Sequence, residues 1–325
     1  MPPPGAFGPD KGDDMEEAEQ VLRDARAVLN PAGISVARVS FVASGATAQV
    51  WKLESASKTW ALRIVTGNRG AEDQVGYAIR RELFDRGGHV AEPVLTSAEL
   101  QPIAGRDWSL DRFIHGVHPA RGCLPDRAAV QLGQTLSLLH HLPARGFGRP
   151  SGMAEGTAIG PCEAPMDGVR HRFENPLPEC WPRGYTHPLL TRLPELRDQI
   201  LSRLARVTER VQQGHGVLCH SDLHERQFIC SGDDLGALID FGDVTLMDQH
   251  WDLGSLLYFH GPEICGKVLR GYGATQICPD MVASFSIAVA MHHASRARLP
   301  GKEHRFDVAA KYIRRLLSDV DRDPA

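Results

Sequence analysis

The chain has 325 residues, of which 42% are hydrophobic and 23% are charged, as in ordinary soluble globular proteins. Its formal net charge of −4 lacks the basic excess of a nucleic-acid-binding protein, and its apolar stretches are too short for a membrane span or a signal-peptide core. The seven cysteines are odd in number and include no Cys-x-x-Cys pair, so we expect reduced thiols in a cytoplasmic protein.

The first part of the chain predicts a helix followed by a meander of strands. Residues 1–14 are rich in proline, glycine and aspartate and predict a disordered leader. Apolar residues recur at helical spacing over residues 15–29. Three strands are then predicted at residues 36–42, 49–53 and 59–65, joined by turns at residues 44–47 and 55–58.

Helical patterns dominate the rest of the chain. A helix over residues 72–86 ends at two glycines, and strand-like segments at 93–95 and 108–114 would complete the sheet. Residues 143–185 are rich in glycine, proline and charge, which predicts either a functional insertion or a mobile loop. Further helices are predicted at residues 126–142 and 194–212 and, three or four in number, within 250–320.

One window, residues 219–243, carries a chemical pattern. His220 is followed two residues later by Asp222, Gln227 comes five residues after that acid, and Asp240 comes eighteen residues after it. This order and spacing is that of the catalytic and metal-binding loops of a phosphoryl-transfer enzyme. The first acid would orient the attacking hydroxyl, and the amide oxygen and second acid would hold Mg²⁺. A predicted hairpin at residues 228–239 would bring the two metal ligands together.

The window resembles the aminoglycoside phosphotransferase and choline kinase superfamily, in which His-x-Asp-x-x-x-x-Asn is followed by Ile-Asp-Phe or Ile-Asp-Trp. The resemblance implies that Asp222 is the catalytic base and that Asp240 is the metal-binding acid. It also implies that His220 is structural and that Asp252 braces the catalytic loop. Gln227 stands where the family has asparagine, so it is either a metal ligand or a bystander.

The resemblance implies an α+β, bilobal, protein-kinase-like fold. Residues 15–115 would form a nucleotide-binding N-lobe with an antiparallel sheet and a helix. Residues 116–325 would form a mostly helical C-lobe for catalysis and acceptor binding, in which residues 143–185 would be either an acceptor-site insertion or a mobile loop. ATP, or GTP, would lie between the lobes with Mg²⁺ as the cofactor.

Several residues would then contact the ligands. Arg63 stands where the family has lysine and would bind phosphate, paired with Glu82 or, as second choice, Glu72. Asp243 and Glu225 are candidates for binding an amine of the acceptor. The loop over the phosphates would comprise Ser44, Gly45, Ala46 and Thr47. The segment along the adenine edge would comprise Arg112, Phe113 and Ile114.

The predicted function is Mg²⁺-dependent transfer of the ATP γ-phosphate to a hydroxyl of an antibiotic or related small metabolite. The alternatives are a nucleotide-binding pseudokinase or scaffold without turnover, and a kinase of an amino alcohol, sugar or nucleoside. A protein kinase is disfavoured because Asp252 follows Gly242 too closely for an activation loop. A zinc enzyme and a serine hydrolase are disfavoured because His-Glu-x-x-His and Gly-x-Ser-x-Gly are both missing.

Overall fold

The computed structural model describes residues 11–45, 47–67, 70–273 and 277–320. Its described residues divide into two compact units. The first unit comprises Met1–Tyr77 and Ala91–Ile114, and the second comprises Ala78–Val90 and His115–Ala325. The helix Gly70–Asp85 is therefore shared between them.

The first unit is built on an antiparallel sheet, as predicted for an α+β fold. Its five strands pair in the order β1-β2-β3-β5-β4, every neighbouring pair antiparallel. Helix α1 begins at Lys11, four residues before the predicted start, since the prolines that oppose helix lie upstream of it. Residues 11–14 of the predicted leader are thus helical, and residues 1–10 lie outside the described residues. The elements are α1 Lys11–Leu29, β1 Arg38–Ser44, β2 Ala48–Glu54, β3 Thr59–Val65, α2 Gly70–Asp85, β4 Pro93–Thr96 and β5 Trp108–Arg112.

Strand alternation separates the core of this unit from its polar face. In β3, Trp60, Leu62 and Ile64 are buried and pack in one cluster with apolar residues of α1. Successive strand residues point to opposite faces of a sheet. Arg63 therefore projects from the face opposite to this core.

The second unit is mostly helical, as predicted for the C-lobe. One apolar cluster draws on six of its helices and includes Leu204, Trp251, Phe285 and Ile313. Among the described residues, the structure contains no helix with both the length and the apolar character to cross a bilayer. The helices are α3 Asp126–His140, α4 Pro165–Arg172, α5 Pro188–Arg192, α6 Arg197–Gln213, α7 His250–Tyr272, α8 Pro279–Ser295 and α9 His304–Val320.

Short strands complete the second unit, and three of them correct the expectation of an irregular segment at residues 143–185. These three form a small sheet in the order β6-β8-β7. Glu155 and Gly156 join β7 to β8, both with positive φ (49° and 75°), which is the geometry of a tight hairpin turn. The strands are β6 Ala144–Arg145, β7 Gly152–Ala154, β8 Thr157–Ile159, β9 Val217–Cys219, β10 Phe228–Ser231, β11 Asp234–Leu238 and β12 Thr245–Met247.

Candidate active site

Two strand pairs hold the window that carries the chemical pattern. β9 leads into His220 and pairs antiparallel with β12. β10 and β11 form a hairpin, and Asp240 follows its second strand. Gln227 ends the short 3-10 helix Glu225–Gln227 just before β10. Gln227 therefore precedes the predicted hairpin and Asp240 follows it, so both residues lie at the open end of the hairpin.

Asp252, on the first turn of α7, is buried behind the predicted catalytic loop, residues 220–227. Its Oδ2 accepts a hydrogen bond from the backbone N–H of His220 (2.7 Å), and its Oδ1 accepts one from that of Ser221 (2.8 Å). Ser221 has a left-handed backbone, φ 68°, which a non-glycine residue adopts only at a cost. The two charge-assisted bonds offset that cost and fix the backbone that presents Asp222.

His140 extends this buried network. Its Nε2 lies 3.1 Å from Asp252 Oδ2, and its Nδ1 lies 2.8 Å from the Tyr272 hydroxyl. His140, Cys219 and Asp252 bring one potential metal-ligand atom each within 4.8 Å of one another. However, backbone donors already engage both Asp252 oxygens, and burial raises the pKa of the Cys219 thiol well above its ordinary value. The cluster is therefore a hydrogen-bonded support for the loop.

His220 ties the catalytic loop to the loop that carries Asp240. The ring is fully buried, and its Nε2 donates to the carbonyl oxygen of Ile239 at 2.9 Å. It also packs edge-to-face on Phe241, with ring centroids 5.2 Å apart. This histidine links residues that precede and follow the hairpin, which is the geometry of a structural residue.

The polar residues of the window come together at the end of the hairpin. Gln227 is only 5% exposed, and its Nε2 lies 3.4 Å from Asp240 Oδ2. Asp240 is exposed and has a left-handed backbone (φ 64°, ψ 63°), which turns its side chain out of the strand direction. The structure thus brings together the two residues predicted to bind metal.

His224 lies between Asp222 and Gln227, and sequence reasoning missed it as a site residue. Its Nε2 is 3.6 Å from Asp222 Oδ2 and 3.3 Å from Gln227 Nε2. Its Nδ1 accepts from the backbone N–H of Arg226, so the neutral ring carries its hydrogen on Nε2. Its position two residues after the acid and three before the amide is the signal that could have identified it.

Asp243 has partners that the sequence did not indicate. Its Oδ1 accepts from Arg149 Nη2 at 2.8 Å, and its Oδ2 lies 3.5 Å from Arg172 Nη2. Because guanidinium groups face both oxygens, the carboxylate of Asp243 is already engaged at the atoms that would bind an acceptor amine. The other candidate, Glu225, is half-buried at the start of its 3-10 helix, and its acceptor role stays a prediction.

The same arginines attach the 143–185 segment to the catalytic loop. Arg172 ends α4, and its side chain is only 7% exposed. It donates from Nη2 to Ser221 Oγ at 3.3 Å and from Nε to the carbonyl of Asp243 at 3.3 Å. Burial lowers the pKa of its guanidinium, and the charge of Asp243 partly opposes that shift. Neither Arg149 nor Arg172 lies in a recognisable motif, so only the tertiary structure reveals this connection.

In the first unit, the cation Arg63 pairs with an unexpected carboxylate. Its Nε is 3.1 Å from Oδ1 of the buried Asp73, although the N–H does not point along a hydrogen-bond direction, and its Nη2 lies 3.3 Å from Thr47 Oγ1. The predicted partner Glu82 belongs to the second unit, and its Oε2 lies 3.5 Å from Arg86 Nη2. Asp73 and Glu82 are nine residues (82 − 73) apart, about two and a half helical turns, so they occupy opposite sides of α2. The side chain of the second choice, Glu72, is outside the described residues.

The remaining nucleotide-binding candidates are placed only in part. Ser44 ends β1, Gly45 donates its N–H to Ala48 at 2.9 Å, and Ala46 lies outside the described residues. The N–H groups of Arg112 and Phe113 already donate to the carbonyls of Glu92 (2.8 Å) and Thr59 (3.1 Å). These two N–H groups are therefore not available to donate to an adenine base. The prediction that this segment binds adenine is narrowed to the N–H of Ile114 and to backbone carbonyl oxygens.

An antiparallel sheet followed by a helical unit with this pair of loops defines a kinase-like phosphotransferase. The model of the Phosphotransferase enzyme family (APH) matches residues 38–283. The chain belongs to this family, and it is a phosphotransferase of the kinase type. A search of curated proteins returned no match.

Solved structures of the same architecture agree with the fold. Spectinomycin phosphotransferase APH(9)-Ia, in complex with ADP and spectinomycin, is 16% identical with a TM-score of 0.58, covering 92% of this chain and 94% of its own. The GDP and kanamycin complex of APH(2″)-IIIa is 17% identical with a TM-score of 0.60, covering 95% and 99%. The AMP-PNP and hygromycin B complex of a thermostable APH(4)-Ia mutant is 13% identical with a TM-score of 0.60, covering 93% and 98%. At these identities the similarity concerns the fold alone.

Proposed function

We propose that this protein transfers the γ-phosphate of ATP, or of GTP, to a hydroxyl group of a small molecule in a Mg²⁺-dependent reaction. Family membership supports the reaction class. Structures of the same fold contain ADP, GDP or AMP-PNP together with spectinomycin, kanamycin or hygromycin B, which supports a nucleotide donor and a small hydroxylated acceptor. The acceptor would be an antibiotic or a related metabolite.

The donor atoms at the hairpin end suit magnesium. Mg²⁺ prefers oxygen ligands and commonly takes one or two from protein side chains. Asp240 offers a carboxylate, and the amide of Gln227 lies 3.4 Å from it. A half-turn of the amide would present Oε1 to a cation at Asp240 and also to the Nε2–H of His224. When bound, Mg²⁺ would neutralise negative charge on the phosphate oxygens.

Asp222 would act on the acceptor. Its side chain is 36% exposed, so a hydroxyl can reach it, and the left-handed Ser221 before it is held by Asp252. A carboxylate in this position orients the attacking hydroxyl and accepts its proton. Because phosphoryl transfer depends mainly on positioning, the buried network behind Asp222 would also contribute to the rate by holding that carboxylate in place.

Arg63 would bind phosphate oxygens of the nucleotide from the first unit. Its guanidinium carries two N–H edges suited to phosphate, and the buried Asp73 would hold it in position. Thr47, which its Nη2 approaches, lies in the loop predicted to cover the phosphates. Arg63 would thus bind phosphate at a position where the family usually has lysine, and its side chain would be less mobile than that of lysine.

The observation that carries this proposal is the convergence of Gln227 and Asp240 beside the loop that presents Asp222. The test measures ADP or GDP release by the purified chain, with and without Mg²⁺, against a panel of aminoglycosides, amino alcohols, sugars and nucleosides. Asp222→Asn should lower kcat by roughly 10²–10⁴-fold, the usual contribution of a general base. Asp126→Asn, which alters a surface carboxylate at the start of α3, is the matched control.

Near-normal turnover by Asp222→Asn would remove that residue from the mechanism. Asp240→Asn should abolish the Mg²⁺-dependent rate, and an unchanged rate would contradict the metal role. Thermal stabilisation by nucleotide without any turnover across the panel would instead favour the pseudokinase alternative.

A further inference from the structure

The hydroxyl of Ser221, the residue before Asp222, joins the predicted catalytic loop to the loop that carries Asp240. Its Oγ donates to the carbonyl oxygen of Asp243 at 2.6 Å. Asp243 ends the 3-10 helix Phe241–Asp243, which follows Asp240 directly. We call this hydrogen bond the Ser221 link. It connects the neighbour of the predicted base to the turn that begins at the predicted metal-binding acid.

Arg172, at the end of α4, contacts both partners of the Ser221 link. Its Nη2 donates to Ser221 Oγ at 3.3 Å, and its Nε donates to the same Asp243 carbonyl at 3.3 Å. Because the hydroxyl oxygen accepts from Arg172, its own hydrogen is left to donate to Asp243, so the three groups satisfy one another. A guanidinium group holds its donors in a fixed plane, which lets one side chain fix both partners at once.

The residues that follow Arg172 fix the backbone from which its side chain extends. Phe173 stacks on Trp251, with ring centroids 3.8 Å apart, and the Arg172 guanidinium lies 5.0 Å from the centroid of the Phe173 ring. The backbone N–H of Glu174 donates to His292 Nδ1 at 2.8 Å. The guanidinium is therefore held by contacts outside the predicted catalytic loop before it meets that loop.

Attachment of α4 to the rest of the unit does not explain a buried charge at this position. Met166 and Val169 of α4 already pack in an apolar cluster of the second unit. A buried ion pair is often no more stabilising than apolar residues of the same volume. What apolar residues could not provide is a set of donors directed at Ser221 and Asp243. The contacts of Arg172 therefore point to a role in the geometry of the loops.

The backbone of Ser221 gives a second indication of such a role. Its φ of 68° is left-handed, a conformation that glycine adopts freely and serine only at a cost. Glycine would remove that cost and would also remove the hydroxyl that makes the Ser221 link. A strained residue persists where its surroundings hold it in place, and here its side chain is one of the groups that are held.

We infer that Arg172 and Ser221 are positioning residues for phosphoryl transfer: the arginine holds the Ser221 link, and the link fixes the predicted catalytic loop against the loop of the metal-binding acid. This inference rests on the phosphotransferase function proposed above. Displacement of a reacting group by about 1 Å can cost about a hundredfold in rate. Because the link acts on the loops, its loss should lower kcat for every acceptor alike and leave KM nearly unchanged. It gives the 143–185 segment, which carries Arg172, a part in the rate of the reaction.

The test compares Arg172→Gln, Ser221→Ala and the double variant with wild type, using every acceptor that the wild-type chain turns over. Each single variant should lower kcat about tenfold or more, with KM values for nucleotide and acceptor within about threefold of wild type. The double variant should lose no more than the slower single variant, because the two side chains form one unit. Arg170→Gln is the matched control and should change neither constant, since Arg170 lies on the same helix, is exposed and pairs with Asp167.

Two further measurements separate positioning from a general loss of folding. Ser221→Gly relieves the left-handed backbone, so it should be at least as stable as Ser221→Ala in urea and yet no faster in turnover. Backbone amide exchange over residues 219–243, measured by mass spectrometry without any acceptor, should be faster in Arg172→Gln than in Arg170→Gln.

Three results would each overturn the inference: wild-type kcat in folded Arg172→Gln, additive losses in the double variant, or equal amide exchange in the two arginine variants. A raised KM for one class of acceptor with an unchanged kcat would also overturn it, because the arginine would then be a ligand for that acceptor. Failure of the proposed phosphotransferase function would show separately, as a wild-type chain that turns over no acceptor while Arg172→Gln still exchanges faster than Arg170→Gln.

Discussion

Asp252→Asn tests whether the catalytic loop depends on a buried carboxylate. The wild-type carboxylate accepts from the backbone N–H groups of His220 (2.7 Å) and Ser221 (2.8 Å) and lies 3.1 Å from His140 Nε2. Asparagine has one oxygen, so its NH₂ group must face at least one of these donors. A lost hydrogen bond to a charged group and an unsatisfied buried donor cost about 1.5–3 and 1–3 kcal/mol, respectively.

The expected loss in the free energy of unfolding is therefore about 3 kcal/mol, measured by urea denaturation followed by circular dichroism. Because Ser221 would no longer be held in its left-handed conformation, kcat should also fall, by about tenfold or more, under conditions in which the variant is folded. Asp126→Asn, a substitution of the same type at an exposed carboxylate that pairs with Lys267, should change stability by less than about 1 kcal/mol. Equal stability of the two variants would refute the bracing role of Asp252.

Three further predictions concern the amide ligand, the buried ion pair and stability in acid. Gln227→Asn should retain Mg²⁺-dependent turnover, since it keeps an amide oxygen, whereas Gln227→Leu should raise the Mg²⁺ concentration for half-maximal rate about tenfold; an indifferent Leu variant would make the residue a bystander. A double-mutant cycle of Arg63→Met and Asp73→Asn should give a coupling energy of about 1–3 kcal/mol in urea unfolding, and additive effects would contradict the pairing. Burial lowers the pKa of His187 from 6.5 to about 4, and its neutral Nδ1 accepts from the Leu189 N–H. The unfolded chain therefore binds this proton first, so stability should fall as pH drops from 6.5 towards 4, less steeply in His187→Asn; equal slopes for the two proteins would refute the assignment.

Short-range patterns account for what could be predicted from the sequence. The strand before His220, the hairpin between Gln227 and Asp240, and the strands around Arg63 all depend on residues within about one or two elements of one another. Alternating apolar residues and turn residues specify such elements locally. The spacing of the acids then identified the reaction class, which family membership confirms.

The sequence did not predict which charged side chains pair with each other when they lie far apart along the chain. Asp73, rather than Glu82, lies against Arg63 because the start and orientation of α2 set which face of the helix meets the sheet. The predicted amine ligand Asp243 is engaged by Arg149 and Arg172, more than seventy residues earlier in the chain. No local pattern indicates such pairs, since they arise from the packing of α4 and the small β6–β8 sheet.

The amino-acid sequence by itself determined the kind of chemistry, because the acids and the amide that phosphoryl transfer needs lie in one short window with strand and turn signals around it. The tertiary structure alone decided the electrostatic surroundings of that window. Arg149 and Arg172 reach Asp243 and Ser221 only when the segment that carries them packs against this window, and charge acts through space rather than along the chain.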